Sequence, residues 1–203
     1  MDRHRWAPLA ALSLCLAASI SSCADRAPRW HGTAYENPPT AARLQGEVTQ
    51  GVPAGAILEQ GVPVVLFFGY THCQDECPAT LGTLASVAKG LGPAADDLRF
   101  VFITVDPERD DLQTLTDYLA QFNPAFIGVR PEAADLLNLL AAYGATAFPQ
   151  ATDAASEAHD DGIAHTTRIF LVDRAGRLRA HYPYETAPAD LAADLHALLT
   201  SGG

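Results

Sequence analysis

Basic residues are scarce in this 203-residue chain. Lys and Arg total 13 against 24 Asp and Glu, a net charge of −11. That balance argues against a nucleic-acid binder, whose surface must neutralise phosphate. Cysteine is scarce too: Cys15, Cys23, Cys73 and Cys77 are all there are, too few for a disulfide-stapled scaffold. No internal repeat is visible. Against these absences, 48% of residues are hydrophobic and 18% charged. Such a chain can build a core and is not a disordered tail. At roughly 100–200 residues per domain, the length allows one domain or two small ones.

The first two cysteines fall in a segment that reads as an export signal. Arg3 and Arg5 precede residues 7–20, which carry no charge. As a helix this run would be about 21 Å long, short for a bilayer core of about 30 Å. Cys15 lies inside it as a small hydrophobe. Ile20-Ser21-Ser22-Cys23 closes it and resembles the bacterial lipobox, in which the cysteine is lipidated after cleavage. Residues 1–22 are therefore expected to be a lipoprotein-type signal peptide and Cys23 the lipidation site. An ordinary signal peptide or an uncleaved anchor are the alternatives. In each case the domain lies outside the cytosol. Loss of Asp2, Arg3 and Arg5 with the signal would take the net charge to −12.

Residues 23–56 are rich in Ala, Pro, Gly and Thr. They are expected to be a tether and a poorly ordered approach, with a short strand near Leu44–Val48. Residues 57–203 are expected to be the folded domain. Val62–Phe68 reads as a buried strand, Pro78–Lys89 as a helix and Leu98–Val105 as a strand. Asp110–Phe122 is an amphipathic helix, Ala125–Val129 a short strand, and Glu132–Tyr143 a helix stopped at Gly144. Thr166–Asp173 and Arg179–Tyr184 flank a hairpin turn, and Pro188–Leu199 is a final helix. Strands alternating with helices imply an α/β fold, a central mixed sheet flanked by helices. The closing hairpin and helix resemble the thioredoxin fold.

Cys73-Gln74-Asp75-Glu76-Cys77 follows a buried strand and opens a helix, the place where open α/β sheets bind ligands. Two thiolates can hold a metal ion or form a disulfide, and the spacing allows both. Thiolates with one or two nitrogen donors suit a soft ion such as Cu(I). Two structural thiols or a permanent disulfide would also fit. Asp75 and Glu76 put negative charge beside the thiols and are expected to raise their pKa values.

The surrounding residues narrow the choice. Phe67-Phe68-Gly69-Tyr70-Thr71-His72-Cys73-Gln74-Asp75-Glu76-Cys77-Pro78 closely resembles the signature of the SCO/SenC family of copper-handling proteins. Val101–Asp110 and Phe122–Gly128 look like its second and third blocks, and His165 matches its single histidine ligand. The blocks occur in family order across about residues 62–184. Gln74, Glu76 and Ala164 depart from the pattern, where the family usually has Pro, an apolar residue and Asp.

The resemblance implies a thioredoxin-like fold, copper as the bound ion, and Cys73, Cys77 and His165 as its ligands. It also implies delivery to the dinuclear copper site of cytochrome c oxidase. The partner would be the oxidase's copper-bearing subunit or another copper chaperone, with a lipid anchor as the membrane contact. Asp106 is expected to orient a ligand or a loop without being a ligand itself. The alternative function is a thiol–disulfide oxidoreductase cycling Cys73 and Cys77 to keep partner cysteines reduced. A peroxidase lacks support: Gln74, not Thr, stands three residues before Cys77. His72 reads as an exposed turn residue, and His159 as a residue of the acidic loop Glu157–Asp161, with a secondary copper contact as the alternative. His31, His181 and His196 read as solvated. Arg109 and Asp110 are expected to cap or pair at the next helix start, and Phe67, Phe68 and Tyr70 to shield the site.

Overall fold

The computed structural model describes residues 30–149 and 162–200. In chain order its elements are β1 (Thr33–Ala34), β2 (Glu47–Val48), β3 (Val64–Gly69), α1 (Glu76–Leu91), β4 (Arg99–Thr104), α2 (Leu112–Ala120) and β5 (Ile127–Arg130). They continue with α3 (Ala133–Ala142), β6 (Ala147–Pro149), β7 (Ile163–His165), β8 (Ile169–Val172), β9 (Leu178–Tyr182) and α4 (Pro188–Thr200). The uncharged run of β3 is buried at all six positions, as a strand covered on both faces must be. It pairs in parallel with β4 and antiparallel with β8. The full sheet runs β1-β9-β8-β3-β4-β5-β2, and β6 and β7 form a separate two-stranded ribbon.

Side chains alternate along β3 and divide the core in two. Leu66 and Phe68 join Val101, Ile103 and Phe170 under α3. Val65 and Phe67 point the other way, beneath α1, α2 and α4, with Leu81, Leu84, Leu115 and Leu195. Helix boundaries follow their chemistry. Asp111 caps α2, its carboxylate accepting from the Thr114 N–H at 2.7 Å. Gly144, just past α3, adopts φ 61°, a conformation that costs glycine little. The β8–β9 turn is held by Asp173, which accepts from the backbone N–H groups of Ala175 and Arg177, each at 2.9 Å.

The described part of the expected tether is instead a packed extension. β1 pairs with β9 and β2 with β5, so residues on either side of Leu44 cover both edges of the sheet. Leu44 itself is fully buried. An exposed edge leaves backbone groups unpaired, and two-residue strands suffice to cover it. The expected strand Thr166–Asp173 is shorter than its pattern suggested: β8 begins only at Ile169, and β7, which ends at His165, lies before it. Residues 1–29, which hold the expected signal, Cys15 and Cys23, lie outside the described residues, as does His159. No helix among the described residues is long and apolar enough to cross a membrane.

Candidate metal centre

The two cysteines and the histidine come from three places in the chain. Cys73 sits in the turn after β3, where its N–H donates to the Tyr70 carbonyl at 3.3 Å. Cys77 lies in the first turn of α1 and is buried, whereas Cys73 is partly exposed. His165 closes β7, in register with Ala147 of β6. One donor atom from each lies within 4.8 Å of the others. Cys77 Sγ is 3.4 Å from His165 Nε2, and the Cys77 N–H donates to Cys73 Sγ at 3.4 Å. Both thiols are free, with no disulfide between them.

The histidine is aimed by its surroundings. His165 Nδ1 lies 3.2 Å from the Thr166 carbonyl. A carbonyl only accepts, so Nδ1–H donates to it, and Nε2 is the ring atom turned toward the sulfurs. The ring meets Tyr70 edge-on at 5.6 Å and Phe67 at 6.3 Å between centroids. Tyr70 also accepts the Ile163 N–H at 3.2 Å, which ties the cysteine turn to the strand carrying His165. Phe68 shields nothing here; it points into the opposite core layer against Tyr143 and Phe170.

The two sulfurs have opposite proton affinities. Cys73 is pulled well below the ordinary thiol range, first by the hydrogen bond from Cys77, against the cost of burial. His165 and the backbone N–H groups of Cys77 and Asp75 add to the pull. Cys77 is pushed far upward by that same bond, then by burial. The pair therefore holds one thiolate and one thiol. This corrects the expectation that Asp75 and Glu76 raise both: hydrogen bonds set the direction at Cys73, and Glu76 comes last among the causes at Cys77.

Asp106 does not reach the sulfurs. Its carboxylate pairs with Arg109, and the Arg109 guanidinium lies over the Tyr70 ring, 5.9 Å from its centroid. It thus touches the site through Arg109 and Tyr70. Asp110, expected at the helix start, is fully buried instead. It accepts from Thr71 Oγ1 at 2.6 Å, the Thr71 N–H at 3.1 Å and Thr104 Oγ1 at 2.5 Å. It thereby pins the cysteine turn to the end of β4, a role for which the sequence offers no signal beyond the turn's own threonine.

Two other histidines are not solvated as expected. His31 Nδ1 donates to Asp194 at 2.8 Å, binding the N-terminal extension to α4. His181 packs against Tyr35 and Phe170, and burial lowers its pKa. His196 is exposed. His72 is exposed as expected but lies 3.7 Å from Asp110.

The SCO1/SenC family model matches residues 45–200. The chain belongs to the SCO1/SenC family. It is 32% identical over 127 residues to the human mitochondrial protein named SCO2 homolog, covering 61% of this chain and 46% of that one. An SCO2-like protein of Rickettsia felis is 26% identical, and there the match spans 61% of the relative. The chain thus covers less than two thirds of either relative. Among solved structures, copper-bound ScoI of Bradyrhizobium japonicum is 34% identical, with a TM-score of 0.60 over 68% of this chain and 86% of that one. Apo Sco1 of Thermus thermophilus is 31% identical, with a TM-score of 0.70 over 84% of this chain and 97% of that one. The mixed sheet flanked by helices is the thioredoxin-like fold of these Sco proteins.

Proposed function

We propose that this SCO1/SenC protein is a copper metallochaperone of the cell envelope. It takes copper through Cys73, Cys77 and His165 and delivers it to the dinuclear copper site of cytochrome c oxidase. The carrying observation is the convergence of two sulfurs and one histidine nitrogen, the latter turned inward by Thr166. Two thiolates and an imidazole are a donor set for a soft monovalent ion. A zinc site of structural type would take four protein donors, and no fourth joins these three among the described residues.

Three donors leave room for an incoming one, which is what ligand exchange requires. Cys73 is the more exposed sulfur and already a thiolate, so a partner's donor reaches it first. Cys77 is buried and reclaims a proton readily, which favours release once the copper is shared. Residues 1–22 direct export, and lipid on Cys23 holds the domain at the membrane, near a membrane-bound recipient.

A second reading is favoured by the same sulfur asymmetry. A free thiolate beside a thiol is the resting form of a dithiol reductase, which would keep the recipient's copper-binding cysteines reduced. Copper transfer to the apo copper-site domain of the oxidase subunit separates the two. The chaperone reading predicts that wild-type protein loads that domain and that His165→Ala abolishes loading while sparing thiol reductase activity. Wild-type protein that reduces the domain's disulfide without passing copper would establish the reductase reading instead.

A further inference from the structure

A second group of donors lies one residue from Cys73. His72, Asp106 and Asp110 place a ring nitrogen and two carboxylate oxygens within 4.8 Å of one another. This is not a solvated acidic patch. Asp110 is fully buried and Asp106 is 8% exposed. Arg109 is paired with Asp106, and the ion-pair partner of Asp110 is the His72 ring at 3.7 Å, which is charged only when protonated. Among the described residues, one permanent cation, Arg109, is paired within this group of two nearly buried carboxylates. Removing carboxylates from water is costly without a compensating charge.

The access and the chemistry both suit an ion. The His72 side chain is 55% exposed, so its ring can swing over the carboxylates from the solvent side. Metal–oxygen and metal–nitrogen bonds of about 2.0–2.2 Å hold tetrahedral donors about 3.3–3.6 Å apart, so donors now within 4.8 Å of one another would close by up to about 1.5 Å. One imidazole with two carboxylates is a harder donor set than two thiolates with an imidazole. It suits Cu(II) or Zn(II), not Cu(I). Asp110 is held by Thr71 and Thr104 and needs no rearrangement, whereas Asp106 would exchange Arg109 for the ion.

We propose that His72, Asp106 and Asp110 form a second metal site, for a divalent ion of Cu(II) or Zn(II) type, beside the cysteine–histidine centre. The two sites sort ions by softness and are joined by the His72–Cys73 peptide. The site is independent of the chaperone reading, since its donors include neither cysteine nor His165.

The test is a Cu(II) titration of the Cys73→Ser/Cys77→Ser chain, followed by electron paramagnetic resonance. The proposal predicts one bound Cu(II) with a nitrogen–oxygen signature. Adding His72→Ala, which alters an exposed ring, should weaken binding at least about tenfold. Adding Asp110→Asn should do the same, with circular dichroism confirming that the chain still folds. In the otherwise wild-type chain, His72→Ala should leave Cu(I) binding unchanged. No stoichiometric Cu(II) in the double-serine chain, or Cu(II) binding indifferent to His72→Ala, would overturn the proposal.

Discussion

Gly69 is the last residue of β3, and a methyl group there would strike the metal centre from below. A Cβ on Gly69 would lie 2.7 Å from Cys77 Sγ and 2.7 Å from Phe102, with Phe67 at 3.0 Å. Non-bonded heavy atoms settle at about 3.5–4.0 Å, so Cys77 Sγ must retreat by roughly 0.8 Å or more. The Phe102 ring is buried and cannot absorb the whole displacement. Overpacking of this kind costs about 1–3 kcal/mol, a fall in Tm of roughly 2–12 °C for a domain of this size. Metal sites tolerate ligand displacements of about 0.2 Å. Gly69→Ala should therefore weaken Cu(I) binding by about 10–100-fold, the range seen when a ligand's support is removed. Anaerobic competition titration against a chromophoric Cu(I) chelator measures the affinity, and a thermal melt measures the stability. Thiol labelling shows that both cysteines survive. Unchanged affinity together with an unchanged melt would refute the packing argument.

Three further outcomes follow from individual contacts. Tyr70→Phe removes the acceptor of the Ile163 N–H and should cost about 1 kcal/mol in chemical denaturation; copper affinity should fall with it, since β7 carries His165. Cys73 is ionised well below the ordinary thiol range, so its alkylation rate, followed by mass spectrometry, should stay flat between pH 6 and 8 while Cys77 resists; a rate rising tenfold per pH unit would contradict this. His31 has its pKa raised, first by its hydrogen bond to Asp194. Its ionic contribution is complete below about pH 6.5 and fades as pH rises through the raised value. The stability gap between wild type and His31→Ala should therefore be larger at pH 5.5 than at pH 8.5, and equal gaps would contradict the ion pair.

The centre was more legible than its support. The apolar run of β3 and the helical spacing of Leu81, Leu84 and Ala88 fix a strand and a helix around the cysteines. The family blocks then point to His165, which the structure brings within 3.4 Å of Cys77. The β6–β7 ribbon that delivers His165 was missed. Its strands are three residues each and are separated by residues 150–162, so no alternation is long enough to read. β1 was hidden for the same reason, in a Pro- and Gly-rich context that suggested a tether, whereas β2 falls inside the short strand expected near Leu44–Val48. By its place in the sequence Asp110 reads as a residue that caps or pairs at the helix start, but it is Asp111 beside it that caps α2; burial of Asp110 beneath Thr71 depends on the β3–β4 pairing, which is tertiary. His31 gave no sign of Asp194, 163 residues away.

The central claim is that copper is held by Cys73, Cys77 and His165. The direct measurement is anaerobic Cu(I) titration of residues 24–203, with metal stoichiometry and thiol count taken on the same samples. The account predicts one copper per chain, both thiols protected from labelling, and loss of tight binding in Cys73→Ala, Cys77→Ala and His165→Ala. Tight Cu(I) binding retained in the variant lacking both cysteines would contradict it.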